Sequence, residues 1–129
     1  MLDGILSVLK EIKVKKVIIG KQEKENEQYN EFCNIIKERK IAVVVLEKGD
    51  IINIEKELRI KILFPDEELI RENSINNNSI VAKLEYKKLK MLFTGDIEEI
   101  AERKLISMYS HNELSADILK IAHHRLKNF

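Results

Sequence analysis

The first half of the chain alternates helical and strand-like hydrophobic patterns. Residues 3–12 place apolar side chains on one side of a helix that Asp3 can cap, and the charged stretch Lys21 to Lys40 also has one apolar side. Val17 to Gly20 and the unbroken Val/Ile run Ile41 to Leu46 predict two strands, of which the second is expected to be buried on both faces. The order predicts a parallel β-α-β unit with a leading helix.

The second half has the alternating pattern of antiparallel strands, which begins after a turn signal at Glu47 to Asp50. A polar loop, Asp66 to Asn78, with room for one helical turn, separates the first strand pair from a hairpin around Lys87-Lys88. The predicted elements are, in order, strands Ile51 to Ile54, Leu58 to Phe64, Ser79 to Tyr86 and Lys90 to Thr94, a helix Ile97 to Tyr109 with Ile100, Ala101, Leu105 and Met108 on its apolar face, and a last strand Asp117 to Ala122.

Composition narrows the class of protein without naming a function. The length of 129 residues predicts one domain, 1–129, and 44% apolar with 35% charged residues is typical of a globular chain. The net charge is +1 with acidic and basic residues interleaved, so the sequence shows no nucleic-acid-binding patch. The single cysteine, Cys33, excludes an internal disulfide. We find no membrane segment and no signal peptide, which favours a soluble, cytoplasmic chain.

Asp96 is the strongest candidate for a site residue. In Leu92-Phe93-Thr94-Gly95-Asp96 a carboxylate follows a hydrophobic strand and a glycine that permits a sharp turn. Open α/β sheets place their sites at such strand ends, and a carboxylate there can bind a metal ion. The alternative is that Asp96 caps the helix predicted to begin at Ile97, and spacing alone favours this cap.

A histidine pair follows the last predicted strand. Adjacent side chains at a strand end point to opposite sides, so at most one of His123 and His124 is expected to be an inward metal ligand. The alternative is a solvent-exposed pair near the end of the sequence. Neither reading is excluded by the residues themselves.

Three phrases taken together resemble the rear portion of a metallo-β-lactamase-fold hydrolase, in the branch found in DNA-internalisation competence proteins (ComEC-like). The phrases are Asn76 to Val81, Leu92 to Asp96 and Ala116 to His124. The resemblance implies an α/β fold with a mixed sheet and flanking helices, equivalent to a truncated αββα sandwich. For the intact parent it implies a zinc-dependent hydrolase, with manganese as the alternative metal, acting on a phosphodiester or related ester in a nucleic acid or other phosphoester substrate.

The resemblance also implies roles for individual residues. Asp96 would bridge two metal ions, His124 would be a metal ligand, and His123 would be the catalytic ring near the leaving group. Asn78 and Ser79 stand in an Asn-rich phrase where other members carry a histidine ligand. They would bind a substrate oxyanion or hold the loop, although the residues alone favour a plain polar turn. Arg125-Leu126 replace the Gly-Ser of the family, which puts the room for substrate in doubt.

The main metal motif of the family, two histidines with an aspartate-histidine pair, is absent from this sequence. Asp3-Gly4-Ile5-Leu6 resembles the start of the helix that follows the motif, so the motif would end near Met1. Asp96 and one histidine make two ligands, whereas a catalytic zinc needs three and a water. We therefore expect that the isolated chain binds no metal tightly and catalyses no hydrolysis. The chain is then a fragment of a hydrolase or, alternatively, a non-catalytic remnant or interaction module.

The missing leading strands also predict a partner. Without them, Val17 to Ile19 and Ile41 to Leu46 are the strands expected to lose neighbours. An uncovered apolar strand edge invites pairing with another chain. We therefore expect a homodimer or a complementing chain.

Overall fold

The computed structural model describes residues 3–21 and 27–122. The chain divides into two compact units, one formed by Met1–Ile19 with Glu23–Val45 and the other by Gly20–Gln22 with Leu46–Phe129. The predicted α/β class, with a mixed sheet and flanking helices, is confirmed. Within the described residues, the helices are too short or too polar to cross a bilayer.

The first unit has the predicted helix-strand-helix-strand order. Its elements are α1 (Asp3–Glu11), β1 (Lys16–Gly20), α2 (Glu27–Glu38) and β2 (Ala42–Leu46). The two strands pair in a two-stranded sheet. The backbone N–H of Ala42 donates to the carbonyl of Lys15 at 3.1 Å, so the beginnings of β1 and β2 are neighbours, as a β-α-β unit requires.

The core of this unit lies on one side of the small sheet. Its buried residues come from both helices and from the residue just before β2: Leu6, Leu9, Phe32, Ile35 and Ile41, with Val17 and Ile19 packed against them. The prediction that Ile41 to Leu46 is buried on both faces is wrong, because Val43 and Val45 are 38% and 56% exposed. Ile18 is exposed as well. Apolar side chains therefore cover only one face of this sheet.

The second unit is built on a five-stranded sheet. Its elements are β3 (Ile51–Glu55), β4 (Leu58–Phe64), α3 (Ser74–Asn77), β5 (Val81–Tyr86), β6 (Leu89–Phe93), α4 (Glu99–Met108), α5 (His111–Leu114) and β7 (Ile118–Lys120). The strand order follows the chain, with antiparallel pairs from β3 to β6 and a parallel β6–β7 pair. The predicted strand pair and hairpin are confirmed, with boundaries that differ by at most two residues.

Helix α4 covers the sheet through residues four positions apart. Ile97, just before the helix, Ala101 and Leu105 are buried against Leu63, Phe64, Val81 and Leu92 of the sheet. This spacing places the three side chains on one helical face. Ile100 was predicted on that face and is instead 40% exposed, because the apolar stripe passes through Ala101. His111 is exposed at the start of α5.

Two adjacent residues of α4 test this packing. Leu105→Ala should lower the free energy of unfolding by about 2–5 kcal/mol, since it empties a site in the core. Ile106→Ala is the matched control, because Ile106 is 61% exposed and its truncation should change stability by only about 0.5 kcal/mol. Urea unfolding measures both, and equal costs would show that a different face of α4 meets the sheet.

Candidate functional site

Gly95 fixes the turn that carries Asp96. Its φ is +60°, and a Cβ added there would lie 2.8 Å from the carbonyl oxygen of Ile80 and 2.9 Å from the Cβ of Ser79. Any other residue would clash with this backbone and would strain the left-handed conformation. The absence of a side chain therefore lets the turn after β6 press against the segment that leads into β5.

The same turn is bonded to β7 on its other side. The backbone N–H and the Oγ1 hydroxyl of Thr94 donate to the carbonyl of Lys120, at 3.3 and 3.0 Å. The Nζ of Lys120 in turn donates to the carbonyl of Gly95 at 3.2 Å. Residues 94 and 95 are thus held by the end of β7 as well as by the Ser79–Ile80 backbone.

Glu98 joins the turn to the asparagines of α3. The backbone N–H of Glu98 donates to Oδ1 of Asn77 at 2.9 Å, and the Glu98 carboxylate accepts from Nδ2 of Asn76 at 3.1 Å. Nδ2 of Asn73 also donates to this carboxylate. Glu98 is the N-cap of α4, so a neighbouring asparagine satisfies the N–H at the start of the helix.

Asn78 is committed to its own loop. It is 1% exposed, and its Oδ1 accepts from the backbone N–H of Ile70 at 2.9 Å. Its Nδ2 donates to the carbonyls of Ile70 and Ser74, at 2.7 and 2.9 Å. These contacts correspond to the loop-holding alternative for Asn78, and its role toward a substrate stays a prediction.

Asp96 lies between these anchors, at the carboxyl end of β6. The residue is half-buried and its Oδ1 atom is buried. The alternative that Asp96 caps a helix beginning at Ile97 is wrong, because α4 begins at Glu99 with Glu98 as its N-cap. Ile97 and Glu98 separate Asp96 from the first residue of the helix, and Ile97, which is 1% exposed, packs into the core.

The structure brings some of the predicted site residues together. Ser79 contacts the Gly95 turn directly and Asn78 precedes it in the same segment, so both lie beside the turn that ends in Asp96. His123 and His124 lie outside the described residues. Asp117 has a structural contact, since its Oδ2 accepts from the backbone N–H of Lys90 at 2.8 Å.

The described residues do not by themselves fit a catalytic zinc. Across residues 3–21 and 27–122, no group of three His, Cys, Asp or Glu side chains is placed to hold a metal ion. A catalytic zinc requires three protein ligands and an open position. Asp96 can offer one carboxylate.

Sequence reasoning missed the buried amide network. The residues alone favoured a polar turn for the three consecutive asparagines, and a loop-holding role came only as an implication of the resemblance, yet Asn76, Asn77 and Asn78 are all buried. The available signal was the run of three asparagines directly before a buried strand. Asparagines that are buried there must pair with backbone groups. Glu98 gave no signal of its own, since an acidic residue near a helix start is common.

The two glycines with positive φ test the close approach at the turn. Gly95→Ala should destabilise the protein by at least about 1 kcal/mol more than Gly49→Ala, because overpacking adds to the backbone strain. Gly49 is the matched control, with φ +97° and no described atom within 4 Å of an added Cβ. Chemical denaturation gives both values, and equal losses would mean that the turn can move away from Ile80.

Comparison with known proteins gives one informative similarity. No family model matches the chain. The chain is 29% identical over 120 residues to ComE operon protein 3 of Bacillus subtilis (strain 168). The aligned region is 93% of this chain and 15% of that protein, so the chain spans less than a sixth of the length of the relative.

Proposed function

We propose that this chain acts in DNA uptake, as the counterpart of a segment of ComE operon protein 3. The similarity runs through 93% of the chain and is therefore not confined to one motif. We further propose that the second unit is the rear portion of a metallo-β-lactamase-type domain. The resemblance of Asn76 to Val81, Leu92 to Asp96 and Ala116 to His124 supports this assignment.

The observation that carries the proposal is the set of contacts that holds the residues on both sides of Asp96. The preceding residues of its turn are bonded to Lys120 and pressed against Ser79 and Ile80, and Glu98 is held by Asn77. A carboxylate at the carboxyl end of a strand, positioned from several sides, is suited to bind a metal cation, and a bound cation can in turn orient a phosphoester. These contacts around Asp96 favour a role in a site over a role in a solvated turn.

The proposed role is a contribution to a hydrolase site and not a complete hydrolase. The described residues lack a three-ligand group, so zinc or manganese would need ligands beyond them. In this proposal Asp96 is one metal ligand. His124 is a second ligand and His123 is the catalytic ring, as the resemblance implies. The chain supplies the scaffold and this carboxylate.

A replacement experiment in Bacillus subtilis tests the proposal. The aligned segment of ComE operon protein 3 is exchanged for the matching residues of this chain, and the transformation frequency is compared with that of a strain lacking the segment. We expect the exchange to restore transformation well above the deletion level. Asp96→Ala should remove most of that gain, because it deletes the proposed ligand.

Glu67→Ala is the matched control for Asp96→Ala, since Glu67 is an exposed carboxylate. It should leave transformation unchanged. A hybrid protein that accumulates to the parent level and still performs no better than the deletion would contradict the proposed role in uptake. Full transformation with Asp96→Ala would contradict only the site assignment.

An interaction module is the second candidate, and the exposed face of β2 favours it. Val43, Val45 and Ile18 present apolar side chains to solvent on the face of the small sheet that the core leaves uncovered. An apolar face of this kind is typical of a surface that meets another chain. The expected partner is a second copy of this chain or a complementing chain.

Light scattering of the purified chain at micromolar concentration tests this second candidate. We expect a homodimer that dissociates when Val43 and Val45 are both changed to Lys, because the charges cannot be buried at the interface. Changing Lys15 and Lys16 to Gln is the control for altered surface charge, since both residues are exposed on the same unit. A stable monomer that binds no complementing chain would contradict the module.

A further inference from the structure

The second unit has a groove lined by four lysines. The groove has a volume of about 530 Å³ and is called the lysine groove below. Its four lysines are Lys48, Lys61, Lys83 and Lys90. Its walls also include Ile51, Ile62, Leu63 and Tyr109. A volume of this size is within the usual range of small-molecule sites, and the lining combines cations with apolar surface.

The strand register places the lysines together on one face of the sheet. Lys61 on β4 is directly opposite Lys83 on β5, and Lys90 on β6 is opposite Glu85, two residues further along β5. Side chains of opposed residues lie on the same face, where like charges repel. The sheet therefore places the three lysines on one face, with Lys61 and Lys83 as a directly opposed like-charged pair and Glu85 opposite Lys90.

Lys83 is the deepest of the four cations. It is 4% exposed, and its Nζ donates to the carbonyl of Glu113 at 2.6 Å. Burial lowers the pKa of Lys83, and the charges of Lys90 and Lys61 lower it further, while Glu85 and Asp117 act in the opposite direction. The protonated form of this lysine is therefore less stable than that of a solvated lysine.

The carboxylates of the groove already have partners. Oδ2 of Asp50 accepts from the backbone N–H of Glu47 at 2.9 Å, and Glu113 accepts from the N–H and the hydroxyl of Ser110. Glu85 accepts from Nε of Arg59 at 2.5 Å. This bond and the charges of Lys61 and Lys83 lower the pKa of Glu85 against the opposing effect of burial.

Two lysines are left to meet a ligand. Within residues 3–21 and 27–122, the ammonium groups of Lys61 and Lys90 form no ion pair. Lys48 lies over the ring of Tyr109, with its Nζ 5.8 Å from the ring centroid. An anion in the groove would relieve the repulsion among these cations and would have the apolar wall of Ile51 and the edge of the Tyr109 ring beside it.

We propose that the lysine groove binds a small phosphorylated molecule of nucleotide size, with its phosphate on Lys61 and Lys90 and its apolar part against Ile51 and Tyr109. A phosphate carries enough charge to meet both ammonium groups, and lysine binds phosphate as a point charge. The groove is built from residues other than Asp96, so the inference does not rest on the proposed hydrolase parentage.

A small ligand fits this groove better than a nucleic-acid strand. Nucleic-acid sites follow the backbone with an extended basic surface, whereas the whole chain has a net charge of +1 and the groove also contains three carboxylates. The apolar walls line the same groove as the cations. This combination matches a compact ligand with a charged end and an apolar end.

Calorimetric titration of the whole chain with adenosine 5′-monophosphate tests the proposal. Inorganic phosphate and adenosine, each carrying half of the ligand, are titrated separately, and a single-stranded thymidine oligonucleotide represents nucleic acid. We expect saturable binding of the monophosphate and a weaker affinity for each half. Lys61→Gln and Lys90→Gln should each weaken it by about tenfold, since each removes a charge-assisted contact.

Lys88→Gln is the matched control, because Lys88 makes the same charge change in the exposed β5–β6 turn and should leave the affinity unchanged. Urea unfolding confirms that each variant folds. The proposal is overturned if neither the monophosphate nor phosphate binds at about 10 mM, well above typical ligand affinities. Equal affinity in all variants would also overturn it, as would much tighter, salt-dependent binding of the oligonucleotide.

Discussion

The junction between the Asn-rich segment and the Gly95 turn is the constraint on which the candidate site depends. Two features define it: the approach of Gly95 to the Ser79–Ile80 backbone and the bond from the Glu98 N–H to Asn77. Both connect the segment before β5 to the segment after β6. Strands β5 and β6 are paired in the sheet, so the junction extends their alignment beyond the last ladder bond. Asp96 takes its position from this arrangement.

The sheet of the second unit could be predicted because its hydrophobic pattern and its turn residues both indicate antiparallel strands. Alternating residues in Ile51 to Ile54 and Leu58 to Phe64, with a turn between them, specify a half-buried antiparallel pair. The Val/Ile run of β2 was misjudged for a physical reason. A continuous apolar run predicts burial on both faces only if the fold supplies both covers, and the run itself carries no information about the second cover.

The position of the candidate site could be predicted more readily than its supporting contacts. The Gly-Asp pair after a buried strand indicated a turn that carries a carboxylate, and the structure confirms the turn at Gly95. The sequence could not indicate that Asn77 reaches Glu98 or that Asn78 closes its own loop. An asparagine in the sequence can be buried or solvated in the fold. Which of the two occurs depends on which backbone groups tertiary packing leaves unpaired.

Hydrogen exchange at the Glu98 amide tests the central claim that buried asparagines hold the turn of Asp96. This N–H donates to Asn77 and should exchange slowly in the unmodified protein. In Asn77→Ala it should exchange at least about tenfold faster, while the Ile62 N–H, which donates to Asp50 in the same unit, changes less. An unchanged rate at Glu98, or the same acceleration at both amides, would contradict the account.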